Sequence, residues 1–203
     1  MAEQGPPPIP LPPAGYFWRT LACLADIIPL IALGIFLSGH LADTEELAAR
    51  EQAGLFYNKV KNQYVKVIQN PSIQEQNKFM QMAEHPDLKD VDAVTTTLAQ
   101  IGEVCFFVSW VGLALQEILL AGQTLGKRIF SLTVVDFYTQ ESPNVLSCIL
   151  RSAWKSAFIN LLYPITSILG IINFHVPLFR KDRRSWHDMF TRTYVVDSKN
   201  IKK

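Results

Sequence analysis

Residues 16–39 read YFWRTLACLADIIPLIALGIFLSG, and between 21 and 37 the only charged residue is Asp26. Tyr16, Phe17, Trp18 and Arg19 stand at the head of the stretch. Aromatic residues followed by an apolar run match a bilayer interface followed by hydrocarbon. A spanning helix needs ~20 mostly apolar residues, and 17–39 supplies that length.

Two further runs lie downstream. Residues 104–120, VCFFVSWVGLALQEILL, carry one charge, Glu117. Residues 156–179 hold 24 positions without Lys, Arg, Asp or Glu, interrupted by Pro164, Gly170 and Pro177. Three such runs in 203 residues exceed what one soluble core requires. The chain is 49% hydrophobic and 18% charged, against about a quarter charged in soluble domains. This apolar content excludes bulk disorder. With 19 basic and 18 acidic residues the net charge is +1, which argues against a nucleic-acid binder. Cys23, Cys105 and Cys148 are isolated from one another and read as buried thiols, without a disulfide framework or a zinc motif.

The charges are sorted along the chain. Twelve of the 19 basic residues follow residue 121, whereas 41–98 hold six basic and nine acidic residues, a net of −3. The positive-inside rule places the basic parts in the cytoplasm and the acidic segment across the membrane. The N-terminus then lies on the cytoplasmic side, and a bacterial inner membrane fits best, with an organelle membrane as the alternative. Keeping the C-terminus cytoplasmic requires that the third apolar run return to the face it entered. Pro164 and Gly170 weaken the helix there, so a kinked or re-entrant element is expected. A single straight crossing is the alternative.

The sequence therefore predicts an all-α membrane protein, a small polytopic helical bundle. Its segments are a flexible Pro-rich tail (1–15), a first transmembrane helix (16–40), an acidic helical connector (41–97) and a second transmembrane helix (98–121). A basic cytoplasmic segment (122–144), a kinked third membrane element (145–179) and a basic tail (180–203) follow. No Lys or Arg precedes Arg19, unlike a secretory signal, so the first helix reads as retained. In the connector, Asp43 or Thr44 caps a helix to about residue 69. Asn70-Pro71 stops it, and Ser72 with Glu75 has capping-box spacing for a second. Asp87 or Asp90 starts the long helix into the membrane. Leu47, Leu55, Phe56, Val60, Tyr64, Val67 and Ile68 recur at spacings of three and four, giving one apolar stripe. That stripe either packs within the connector or docks a protein partner. Residues 128–136 and 192–197 look like short strands that pair at the cytoplasmic face.

Charges in a membrane mark the places to examine. An ionisable group deep in a span costs ~2.5–3.5 kcal/mol on insertion scales. Asp26 therefore needs a partner, for which Arg19, Arg151, Lys155 and a basic C-terminal residue are candidates. Glu117 is placed to meet Lys127 or Arg128. These residues, with Arg151, either lock the helices together or line a cation or proton path. Arg180, Lys181, Arg183 and Arg184 are candidates to hold anionic lipid headgroups.

The motifs stand in a recognisable order: Gly15-Tyr-Phe-Trp-Arg19 through Asp26, then Gly122-Gln-Thr-Leu-Gly126-Lys127-Arg128 through Asp136. Arg151 lies in Leu150-Arg-Ser-Ala-Trp154, and Arg183-Arg-Ser-Trp-His187-Asp188 leads to Val196. Over 15–40 and 100–197 the chain resembles the RDD family of membrane proteins, named for one arginine and two aspartates. The resemblance places those residues at Arg19, Asp26 and Asp188. It implies a small polytopic membrane protein, often suggested to be transport-related, and no enzyme. The connector is longer than is usual in the family, which points to a partner-binding specialisation.

Two tempting motifs are set aside. The segment 122–128 is one residue short of a phosphate loop and lacks its Ser/Thr. His187-Asp188 are chain neighbours, which do not face one another on a helix, and no nucleophile is marked. No cofactor and no metal site is expected. The leading expectation is a non-enzymatic subunit or scaffold of a membrane complex whose connector docks a partner. The alternative is a cation- or proton-coupled transporter.

Overall fold

The computed structural model describes residues 11–160 and 164–200. The chain divides into two compact units, Met1–Phe36 with Glu103–Lys203, and Leu37–Gly102.

Helices α1 (Tyr16–Leu41) and α4 (Leu88–Leu119) are long and apolar enough to cross a bilayer. At 1.5 Å per residue they extend about 39 and 48 Å. Protein buries only 22% and 33% of their most apolar windows, whereas the core helix of a soluble domain is covered on most sides. Ile28, Phe36, Phe107 and Leu115 all face outward. Within the first unit the two helices touch where the Cys105 thiol lies 3.8 Å from the Ile31 carbonyl.

The second unit is the acidic connector. α2 (Thr44–Gln69) opens on Asp43, whose carboxylate accepts from the Glu45 and Glu46 amides while Glu46 reaches back to the Asp43 amide. α3 (Ile73–Glu84) opens on Ser72, whose hydroxyl accepts from the Glu75 amide. Gln63 joins the two helices by donating to the Glu75 carboxylate at 2.8 Å. The apolar stripe of α2 splits. Phe56, Val60 and Val67 are half-buried, with Phe56 and Val60 lining a groove with Phe79 and Val91. Leu47, Leu55, Tyr64 and Ile68 remain exposed.

In the first unit, α5 (Leu125–Ile129) and β1 (Leu132–Asp136) follow α4. Then come α6 (Val145–Asn160), α7 (Pro164–Phe179), α8 (Trp186–Phe190) and β2 (Thr193–Asp197). β1 and β2 pair antiparallel, with Val134 opposite Val195. They are shorter than the sequence suggests at their N-terminal ends. Ser131 and Arg192 adopt left-handed backbone just before each strand, and residues 125–129 close a helical turn capped by Thr124. Both strands are buried along four of five residues, which explains their near-continuous apolar character.

The sheet also holds the start of the chain. The Ala14 amide donates to the Val195 carbonyl at 2.9 Å, and Pro13 bridges to Val196. The Leu11 amide donates to the Tyr194 hydroxyl. The tail expected to be flexible to residue 15 is therefore seated on β2 from residue 11. Pro13, with no N–H, suits a sheet edge. The remainder of that tail, 1–10, lies outside the described residues.

The third apolar run is two helices rather than one kinked rod. α6 and α7 pack together, and each has 16 residues, about 24 Å, short of the ~20 residues of a full crossing. Pro164 is the first residue of α7, where a missing N–H costs no helical bond. The turn itself, 161–163, lies outside the described residues. Gly170 does not break α7. It lets the helix approach α6, since a Cβ there would strike the Phe158 carbonyl.

Candidate functional site: a buried charge lattice

Arg19, Ala22 and Asp26 recur at spacings of three and four on α1, so one face of that helix presents an arginine and an aspartate to the first unit. Around this face the chain gathers the C-terminal end of α4, all of α5, one face of α6 and the short α8.

Asp188 is fully buried, and its oxygens are saturated. Oδ2 accepts from Arg19 Nη2 at 2.5 Å, from the Ser185 hydroxyl at 2.7 Å and from the Ser185 amide at 3.2 Å. Oδ1 accepts from Arg151 Nε and Nη2 at 3.0 and 2.9 Å. Burial opposes its ionisation, but the Arg151 and Arg19 charges prevail and hold its carboxyl well below the usual range. Glu117 Oε1 accepts from both Lys127 Nζ and Arg151 Nη1, while its buried Oε2 has no partner among the described residues. Arg151 thus joins the two carboxylates. Burial, reinforced by the Arg151 charge, pushes the Lys127 ammonium down to about 8 against the pull of Glu117.

Asp26 is bound differently from expectation. Among the described residues none of its proposed basic partners reaches it: Arg19 is taken by Asp188, Arg151 by Asp188 and Glu117. Instead the Gly126 amide donates to Oδ1 at 2.6 Å and the Thr124 hydroxyl donates to Oδ2. Two aligned donors at a chain turn satisfy a carboxylate without a cation. Gly126 is obligatory for this, because a Cβ there would collide with the Ala22 carbonyl and lie 2.9 Å from the Asp26 carboxylate. Gly122, at φ +85°, makes the turn that delivers α5.

Other expectations also shift. Arg128 is exposed and Glu117 takes Lys127 and Arg151 instead. Arg180 forms a two-bond pair with Asp182. Arg184 donates to the Thr193 carbonyl and lies 4.2 Å over the Phe137 ring. Two of the four candidate lipid-binding cations are therefore engaged by protein, and Lys181 and Arg183 remain exposed.

A family model covers residues 13–192, the stretch that carries Arg19, Asp26 and Asp188. The chain belongs to the RDD family. It is accordingly a membrane protein, and Arg19 and Asp188 within the matched stretch are a direct ion pair across 169 residues of chain. No curated relative and no solved structure matches it.

His187 and Asp188 of this RDD protein do approach one another, at 3.6 Å, because the tight first turn of α8 folds both inward. With Ser185 they have the composition of a hydrolytic triad but the wrong polarity. Asn173 Oδ1 accepts from the Trp186 amide, so its Nδ2 donates to His187 Nδ1. That fixes the ring proton on Nε2, which faces the Ser185 hydroxyl at 3.1 Å. A ring that donates to the hydroxyl cannot take its proton. Ser185, His187 and Asp188 are also buried. Sequence reasoning missed Asn173, Ser185 and Thr124. An Asn in an uncharged apolar run, which holds Asn160 as well, was the signal for the first.

His187 makes stability pH-dependent. Burial, with the Arg151, Lys155 and Arg19 charges, pushes its imidazole down to about 3 despite Asp188. The unfolded chain then binds a proton below about 6.5 that the folded chain refuses, so stability is present above 6.5 and lost as pH falls towards 3. Between pH 7 and pH 4.5 the loss is about 2–3 kcal/mol. Thermal unfolding in neutral detergent should show this slope, and His187→Asn should flatten it. A wild-type profile already flat over that range refutes the neutral, buried imidazole.

Proposed function

We propose that this RDD protein is a non-enzymatic subunit or scaffold of a membrane complex, with residues 41–97 docking a protein partner. The observation that carries this reading is that the buried carboxylates are held by fixed donors of the protein. Asp188 is held by Arg19 and Arg151, Glu117 through Oε1 by Lys127 and Arg151, and Asp26 by Thr124 and Gly126. A travelling cation or proton needs carboxylates that exchange partners, and here it would meet Arg19, Lys127, Arg151 and Lys155 first. Locked pairs of this kind fix the geometry of a bundle, which suits a platform better than a path.

The connector supports the docking half. Leu55, Tyr64 and Ile68 are exposed on a 26-residue helix of otherwise polar character, and exposed apolar groups rimmed by charge suit a protein surface. The double variant Leu55→Glu/Ile68→Glu, purified from native membranes in mild detergent, is expected to lose a partner that co-purifies stoichiometrically with the wild type. An unchanged partner set overturns the docking assignment. Wild-type protein in liposomes under an imposed proton or potassium gradient is expected to show no flux above empty liposomes. Flux that Asp26→Asn abolishes would instead establish the transport alternative.

A further inference from the structure

A cavity of about 340 Å³ lies in the first unit beside the charge lattice, within the ~300–1,000 Å³ of small-molecule sites. Its lining is sharply divided. Arg19, Lys127, Arg151 and Lys155 line it, and no Asp or Glu does among the described residues. The remaining wall is mainly apolar, with Leu24, Ile27, Ile159 and Phe174 prominent.

Lys155 is the singular member. It sits one helical turn beyond Arg151 on α6, is 5% exposed, and has neither a hydrogen-bond acceptor nor an ion-pair partner among the described residues. The other three cations each hold a carboxylate. The lattice therefore counts four cations, Arg19, Lys127, Arg151 and Lys155, against three carboxylates, Asp26, Glu117 and Asp188, a net of +1 with His187 neutral. Lys155 feels the Glu117 charge but makes no direct ion pair with it, and a buried ammonium left without a direct acceptor is costly.

We propose that this cavity binds an anionic amphiphile, a phosphate or carboxylate head on a hydrocarbon body, with Lys155 as the cation that receives the head. The excess charge calls for an anion, and the apolar wall calls for a hydrocarbon portion that inorganic phosphate lacks. The same chemistry is available from a bilayer lipid and from a free single-chain amphiphile. This inference involves none of the connector residues and stands or falls separately from the scaffold reading.

The test uses full-length protein in a neutral maltoside detergent, with dodecyl phosphate as probe. Dodecyl phosphate is expected to raise the unfolding temperature saturably, with one molecule bound by native mass spectrometry. Dodecyltrimethylammonium and inorganic phosphate at the same concentrations are expected to leave it unchanged. Lys155→Met should weaken dodecyl phosphate binding about 10–100-fold, the value of one charge-assisted hydrogen bond, and Lys155→Arg should retain it. Without ligand, Lys155→Met should unfold no lower than wild type, because it removes an unpaired buried charge. Phe174→Trp, which narrows the apolar part, should also weaken binding and serves if the Lys155 variant does not fold. An equal effect of inorganic phosphate, or of the cationic amphiphile, overturns the proposal, as does the absence of any saturable shift. Co-purification of one phospholipid, displaced by dodecyl phosphate, assigns the bilayer as the source. Saturable probe binding without such a lipid assigns a free amphiphile.

Discussion

Arg151→Met is expected to lower stability by about 3–5 kcal/mol, the cost of breaking a buried ion pair on one side. In a chain of this size that is a fall of about 6–20 °C in unfolding temperature. Arg151 donates to Asp188 through Nε and Nη2 and to Glu117 through Nη1, and its side chain is 3% exposed. Its loss leaves Asp188 with Arg19 and Ser185, and Glu117 with Lys127 alone. Lys at this position keeps the charge but offers a point where the guanidinium offers a fork, so Arg151→Lys should recover only part of the loss. Adding Glu117→Gln to Arg151→Met should cost less than the two changes summed, with a coupling of about 0.5–3 kcal/mol. Additive losses, or a single-variant fall under about 2 °C, would show that the lattice is not cooperative.

Gly126→Ala is the second severe change, by a different physical route. It adds no charge and removes none. Its Cβ meets the Ala22 carbonyl, a backbone atom that cannot rotate away, and the Asp26 carboxylate at 2.9 Å. Overpacking alone costs about 1–3 kcal/mol. If α5 retreats to relieve it, Asp26 loses the Gly126 amide and the Thr124 hydroxyl, and an unsatisfied buried carboxylate adds about 1–3 kcal/mol or more. A total of about 2–6 kcal/mol follows. Leu125→Ala, one residue away and 59% exposed, should stay within about 0.5 kcal/mol. The measurement is thermal unfolding of the two variants side by side. Equal stability of both would show that α5 has room to move and that Asp26 is not tied to it.

Local signals were readable and distant ones were not. The Asp43 and Ser72 caps act within three residues of themselves, so their helices could be placed from the chain alone. The apolar stretches that became α1 and α4, and the Thr-Val-Val-Asp and Tyr-Val-Val-Asp strands, are likewise local. The partners of Asp26 lie 98 and 100 residues away, and charge alone pointed to arginines and a lysine. What won was geometry, since a turn that offers one backbone N–H and one hydroxyl can satisfy a carboxylate as well as a cation does. Lys155 could be seen as a cation near the site. That it would be left without a carboxylate depended on how Arg151, four residues before it, spends its own donors.

The Arg19–Asp188 pair also sets an order of events. A ribosome makes Arg19 early and Asp188 169 residues later, a delay of about 10–30 s at ~5–20 residues per second. For the later part of that interval, once residue 119 is made, both long helices exist while Arg19 still lacks Asp188. The segment 11–14 waits in the same way for β2 to be made. A nascent chain therefore has its hydrophobic parts in place well before its electrostatic ones. A chain that stops before residue 188 therefore carries an unmatched cation on its first helix.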